Sequence, residues 1–200
     1  QIVLSDKNSQ HFVNVIDKAK EKYQAEVVKR ESEMVDVENW NIPESLPYGR
    51  ECSAVSVKKS IMQPFFSDGE WKSEAAFIDF LEKSERVEWW FKNGDRDATF
   101  FAVRYNNGEE KPFYVDFIVK LKDGRIGLLD TKAGFTKQVA GPKIDGLYKY
   151  IQAENKKGKN LFGGIVANTE RNYRGRWVYF DSTSKDFKDN SFENWADLTL

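Results

Sequence analysis

Two apolar runs, 113–121 (FYVDFIVKL) and 125–131 (RIGLLDT), stand three residues apart, separated only by Lys122-Asp123-Gly124. A connection that short makes an antiparallel hairpin, and the register of that hairpin decides which way the two aspartates inside the runs point. If Asp123-Gly124 is a two-residue turn, Asp116 faces Thr131, and Asp116 and Asp130 lie on opposite sides of the sheet. If the loop has three residues, with Gly124 in the left-handed position of a G1 bulge, Ile118 faces Leu128 and Lys132 faces Tyr114. Asp116 then faces Asp130, with Cβ atoms roughly 5 Å apart. Glycine after aspartate is what the second loop requires, so the second register is expected.

Two carboxylates opposed across a mostly apolar sheet repel, and neither desolvates cheaply. A shared proton, a nearby cation or a divalent metal relieves them, and an all-oxygen donor set suits Mg2+ or Mn2+. Lys132, two residues beyond Asp130, returns to the same face and brings an ammonium to the pair. The plain alternative is two strand-end aspartates and a lysine forming a solvated ion cluster, since a D-x-K tripeptide is common. Glu74 shifts the balance. Steps of three, four and seven from it reach Phe77, Ile78 and Leu81, which puts a carboxylate on the inward face of a helix over 68–83. The alternative for Glu74 is an acidic first turn that merely suits the helix dipole. Glu70, one turn earlier, ranks second because no apolar stripe stands at the right offsets.

The remaining chemistry is narrowed by what is scarce. One histidine (His11) and one cysteine (Cys52) exclude Cys/His zinc sites and an internal disulfide framework. A lone cysteine fits a reducing compartment, so a cytoplasmic location is expected. Both residues are assigned to packing. Any catalysis falls to carboxylates and lysines. No apolar run approaches the ~18 residues of a membrane span, and Gly158-Lys159 lacks the glycine spacing and following Ser or Thr of a phosphate loop, so no nucleotide site of its own is expected.

The chain of 200 residues, 40% hydrophobic and 32% charged, reads as one globular α/β (α+β) unit with an N-terminal extension. An amphipathic helix is expected over 9–31 (Phe12, Ile16, Ala19, Tyr23, Val27), a linker over 39–50, and an edge strand over 53–66 ended by Pro64. The helix over 68–83 is expected to be capped by Ser67 or Asp68. Strands follow over 97–105, 113–121 and 125–131, then a helix over 143–155 and strands over 160–167 and 176–180. Together they form a mixed sheet flanked by helices. Residues 1–60 are expected to join an upstream neighbour in a longer protein, with the functional domain at 61–200.

Charge is uneven. Residues 1–100 carry 14 basic and 19 acidic side chains, residues 101–200 carry 17 and 13, and the stretch 132–176 holds ten Lys and Arg against three acids. Such an excess suits a phosphate-tracking surface, or a solvated face balanced from elsewhere in the fold. Arg171, Arg174 and Arg176 around Tyr173 could grip a nucleic-acid backbone or form a solvated loop. Trp89-Trp90 could stack on bases, but a pair straddling a strand, one in the core and one at a seam, is preferred.

A helix with Glu74, then Asp116, then Asp130-Thr131-Lys132, then a helix with Lys143 and Tyr148, resembles the PD-(D/E)xK nuclease superfamily. The wording of 71–132 (WKSEAAFIDFLE … VEWWFKNG … FYVDFIVKLKDGRIGLLDTKAG) is similar to the C-terminal nuclease domain of type III restriction subunits and related helicase-nuclease proteins, over roughly residues 65–170. Val115 replaces the proline of the family's motif, and Asp130 takes the position often held by Glu. The resemblance implies an αβββαβ restriction-endonuclease-like core and a metal-dependent deoxyribonuclease leaving 5′-phosphate and 3′-hydroxyl ends. Asp116, Asp130, the Thr131 backbone carbonyl and Glu74 would bind Mg2+ (or Mn2+), and Lys132 would orient or deprotonate the attacking water. Lys143 and Lys149, on the helix after the motif, are candidates for holding DNA phosphates or else ordinary exposed helical lysines, the latter favoured for Lys149, with Arg171 and Arg174 as further DNA-binding candidates. DNA, an upstream helicase/ATPase domain and a modification subunit are the partners implied. The competing reading is a non-catalytic module that keeps the fold to dock a helicase or hold DNA.

Overall fold

The computed structural model describes residues 8, 11–19, 22, 40–69, 71–95, 99–132 and 137–200. In chain order its elements are α1 (residues 11–19), β1 (Ser53–Val55), β2 (Phe65–Ser67), α2 (Lys72–Lys83), β3 (Val87–Lys92), β4 (Ala102–Asn106), β5 (Glu110–Tyr114), β6 (Phe117–Leu121), β7 (Ile126–Thr131), α3 (Lys137–Lys156), β8 (Leu161–Asn168), β9 (Trp177–Phe180) and β10 (Ala196–Asp197). Six strands form one mixed sheet in the order β10-β9-β8-β7-β6-β3. Among the described strands β7 and β8 pair in parallel, with α3 between them as the crossover, and the other neighbours are antiparallel, β6–β7 across a three-residue loop and β3–β6 across the inserted β4–β5 hairpin.

The β6–β7 hairpin takes the three-residue loop. Phe117 pairs with Leu129, Ile118 with Leu128 and Lys120 with Ile126. Leu121 N–H donates to Arg125 O at 2.9 Å and Gly124 N–H to Leu121 O at 3.0 Å, with Gly124 at φ +94°. The alternation of side chains then separates two cores. Phe117, Val119 and Leu129 meet Phe77, Ile78 and Leu81 of α2, while Ile118 and Leu128 meet Leu147 and Ile151 of α3. The sheet is therefore covered on both faces, an α/β arrangement as expected.

Several expected elements are corrected. Of the strand expected over 97–105, residues 97 and 98 lie outside the described residues, and 102–105 belong to β4, which pairs with β5 as a hairpin separate from the main sheet. The first antiparallel partner of β6 is instead β3, which carries Trp89 and Trp90. Trp90 is fully buried and Trp89 half-buried, so the pair does straddle core and seam. The run 113–121 divides at Val115-Asp116, where the chain leaves one hairpin for the other sheet. Helix α2 starts at Lys72 with Trp71 at its N-cap and no side-chain cap; Ser67 Oγ instead accepts from Gly69 N–H at 3.0 Å. Pro64 precedes β2 and ends no strand. Helix α3 begins six residues earlier than expected and contains Pro142.

The expected boundary at residue 60 is not a seam. Trp40, Ile42 and Leu46 pack on the α3-side core, Trp40 Nε1 donates to Thr99 O at 2.9 Å, and β1 pairs with β2. Ser60 bridges Trp90, so residues 59–61 cover the outer edge of β3. Of the expected N-terminal helix, 11–19 is helical with Phe12 and Ile16 more than half exposed; Tyr23 and Val27 lie outside the described residues. His11 is exposed, contrary to the packing role expected of it.

Strand β8 passes between β7 and β9 on two glycines. Gly164 has φ +150°, and a Cβ there would sit 1.8 Å from Phe180 O. That backbone region is essentially reserved for glycine. Gly164→Ala is expected to cost about 3 kcal/mol or more, read as a lowered denaturation midpoint with an unchanged slope.

Candidate active site

At one end of the sheet, β3, β6, β7 and helix α2 bring charged side chains together beside a groove. Asp116 stands at the bend before β6, Asp130-Thr131-Lys132 closes β7, and Lys92 ends β3. Continuing the β6–β7 register one step beyond its last pair sets Asp116 opposite Asp130. There the chain bends, and the Asp116 carboxylate turns to Thr131, accepting from its backbone N–H at 2.7 Å and its hydroxyl at 2.8 Å. Asp130 is 2% exposed, and its Oδ2 lies 2.8 Å from Lys132 Nζ. Apart from that ion pair, Oδ2 has no hydrogen-bond donor among the described residues. Glu74, in the first turn of α2, meets Lys92 Nζ at 3.2 Å. The site thus straddles the sheet end, with a Glu74–Lys92 pair on the α2 side, an Asp130–Lys132 pair beyond Asp116, and Asp116 between them. Glu70 lies outside the described residues.

Glu74, Lys92, Asp116, Thr131 and Lys132 line a groove of about 1040 Å3 that runs out between α2 and the β1–β2 hairpin. The charges are mutually coupled. Burial first, then the Asp116 charge, pushes the Asp130 carboxyl up to about 7, against the pull of Lys132 and Lys143. Burial also raises Glu74, against Lys92, with Asp116 adding to the rise. Burial alone would lower Lys132, but Asp130, Asp116 and Glu74 outweigh it and hold the ammonium above its ordinary value.

The donors suit a hard divalent cation in kind: three carboxylates and a backbone carbonyl offer oxygen only, and the under-bonded Oδ2 of Asp130 is a buried acceptor such an ion would satisfy. They are not gathered into a chelating set as they stand. Among the described residues, no group of three Asp, Glu, His or Cys is placed to hold a metal ion. Each carboxylate has its own partner: Thr131 for Asp116, Lys132 for Asp130 and Lys92 for Glu74.

Sequence reasoning missed Lys92 and Asn93. Asn93 is 3% exposed. Its Nδ2 donates to Phe101 O at 2.7 Å and Val115 O at 2.9 Å, its Oδ1 accepts from Phe101 N–H at 3.0 Å, and its backbone N–H donates to Asp116 O at 2.9 Å. It pins the bend that presents Asp116. The available signal was the alternation of β3: Lys92 follows Trp90 by two and so shares its face.

The expected phosphate-binding surface is smaller than its composition. Lys157 and Lys159 pair with buried Glu154 at 2.8 and 2.6 Å, and Arg176 grips Asp197 at 2.7 and 2.8 Å. Lys143 is half-buried with Nζ 5.1 Å from the Phe113 ring centroid. Lys149 is exposed beside a separate hollow of about 710 Å3 with Arg104 and Asp145. Arg171 and Arg174 are exposed in the turn after β8. Because β8 is parallel to β7, that turn emerges at the same end of the sheet as Lys132. Tyr173 between them stacks on Trp177 at 6.3 Å and is not presented outward with the arginines.

Comparison with protein-family models, with curated proteins and with solved structures gives no match. Among the described residues, no helix is long and apolar enough to cross a membrane.

The raised Asp130 carboxyl has a consequence for stability. A group whose folded pKa exceeds its unfolded value holds its proton better when folded, so its favourable contribution is present at low pH and lost as pH rises from about 4 to about 7. In metal-free buffer, Asp130→Asn is therefore expected to raise the melting temperature progressively more, relative to wild type, as pH is taken from 4 to 8. A difference that stays flat or shrinks over that range contradicts the raised value.

Proposed function

We propose that this chain is a Mg2+- or Mn2+-dependent DNA endonuclease of the PD-(D/E)xK kind, hydrolysing phosphodiester bonds. The observation that carries the reading is that Asp116, at the bend before β6, and Asp130, at the end of neighbouring β7, stand at the same end of the sheet, with Lys132 Nζ 2.8 Å from Asp130. The order α2–β3–β6–β7–α3–β8, with the β4–β5 hairpin inserted, supports it, because it follows the αβββαβ sequence of elements that the resemblance implies. So does the charge balance. With all three carboxylates ionised, Glu74, Asp116, Asp130, Lys92 and Lys132 sum to −1, and a divalent ion would reverse that sign to suit a phosphodiester.

Asp116, Asp130, the Thr131 carbonyl and Glu74 would hold the metal, which would supply Lewis-acid polarisation of the phosphoryl oxygen. The Thr131 N–H and hydroxyl orient the Asp116 carboxylate. Lys132 remains an ammonium, so its part is to orient the attacking water and to stabilise negative charge developing on the phosphate; taking a proton from the water is not a role its raised pKa favours. Arg171 and Arg174 are the exposed cations best placed for flanking phosphates, with Lys143 and Lys149 further along α3. An upstream helicase/ATPase domain and a modification subunit belong to the same proposal.

The reading of a non-catalytic module that docks a helicase or holds DNA draws on one observation: every carboxylate of the site is already matched within the protein. Substitutions separate the two. Lys132→Ala is expected to leave metal binding in place while cleavage falls by roughly 100-fold or more. Asp130→Ala should lower metal affinity together with cleavage, and Glu74→Ala should be the mildest. Nicking of supercoiled plasmid and metal calorimetry in the presence of DNA read these effects. Cleavage by Lys132→Ala at the wild-type rate would transfer the assignment to the docking module.

A further inference from the structure

Lys92 is unexplained by the catalytic set, yet it stands within it. Its Nζ lies 3.2 Å from Glu74 Oε2, and the two side chains are 26% and 21% exposed. Nζ also lies 3.3 Å from Asn93 O and 5.2 Å from the centroid of the Phe117 ring. The backbone beneath it is fixed: Lys92 pairs with Phe117 in the β3–β6 ladder, and the next residue, Asn93, is tied to Val115 and Asp116. Lys92 therefore sits at a set position beside Asp116 and lines the same groove as Lys132.

Stability does not account for this pair. Half-buried ions lose hydration that their mutual attraction barely repays, and an apolar pair of similar size would pack against Phe117 at least as well. What the pair retains is a cation at the head of a groove, held by one carboxylate that it can exchange for another anion.

We propose that Lys92 and Lys132 form a two-lysine cradle for one phosphate group, in which Glu74 is the internal anion occupying Lys92 until a phosphodiester arrives. The ligand class is a phosphate monoanion, here the backbone phosphate of DNA, and the proposal rests on the nuclease reading for its substrate. Phosphate displaces the Glu74 carboxylate from the Lys92 ammonium. No bond is made or broken, and the Glu74 carboxylate leaves the Lys92 ammonium for the solvent of the groove. Charge-assisted contacts from an ammonium to phosphate oxygens are among the stronger hydrogen bonds available, and an anion already seated on the lysine must weaken them.

Binding of a short labelled DNA duplex to the full chain in EDTA, followed by fluorescence anisotropy across a salt series, tests the cradle without any need for cleavage. Lys92→Met is expected to weaken binding roughly tenfold and to reduce the slope of log affinity against log salt by about 0.9, one phosphate contact. Lys92→Arg should keep most of the affinity. Glu74→Gln should tighten binding, and that gain should vanish in the Lys92→Met background, because it arises from freeing Lys92. A gain that persists in full without Lys92 would reveal simple repulsion between Glu74 and DNA and overturn the proposal. Wild-type affinity in both Lys92→Met and Glu74→Gln would overturn it too. If Lys92→Met fails to fold, Glu74→Gln alone decides, and no tightening overturns the cradle. Failure of the wild-type chain to bind DNA at all would instead bring down the nuclease reading on which the cradle rests.

Discussion

The arrangement depends on one loop. Gly124 at φ +94° lets the β6–β7 hairpin close over three residues, and every pairing upstream inherits that choice. A register one residue different would exchange the two faces of β6 relative to β7. Phe117 and Leu129 would no longer meet α2 together, nor Ile118 and Leu128 α3, and the two cores would lose their partners. The same shift would carry Asp116 out of line with Asp130. Fold and site therefore share a single geometric cause, the loop that brings Asp116 and Asp130 to the same end of the sheet.

Around that pair the protein settles an electrostatic conflict by local means. Asp116 bends away to the N–H and hydroxyl of Thr131, Asp130 keeps Lys132, and Glu74 keeps Lys92. Each contact lowers the cost of a carboxylate in a partly dry setting, yet burial still leaves Asp130 near 7 and Glu74 raised.

The basic stretch 132–176 illustrates how composition overstates a surface. A run of cations in sequence carries no record of the acids folded against it. Glu154 is buried on α3 with two of those lysines on it, and Asp197, beyond the run on β10, takes Arg176. The exposed arginines that remain, Arg171 and Arg174, gain their interest from position alone: a parallel strand returns the chain to the end of the sheet where Lys132 lies.

By itself the sequence determined the hairpin register, the helix face carrying Glu74, and the alternation of helix and strand that makes a covered mixed sheet. All three follow from short-range rules, the needs of a G1 loop and the periods of 3.6 and 2, which a few neighbouring residues satisfy or fail. Only the tertiary structure decided that β3 and not the 97–105 run borders β6, that residues 40–60 belong to the fold, and that Lys92 and Asn93 stand beside Asp116. Those outcomes depend on which distant surfaces fit one another. Trp90 is apolar enough to fill the core between α2 and β6, and Trp40 finds Phe91 and Phe101 across more than fifty residues of chain. Contacts of that range leave no periodic trace in sequence, because their energy comes from burial that exists only once both surfaces have formed.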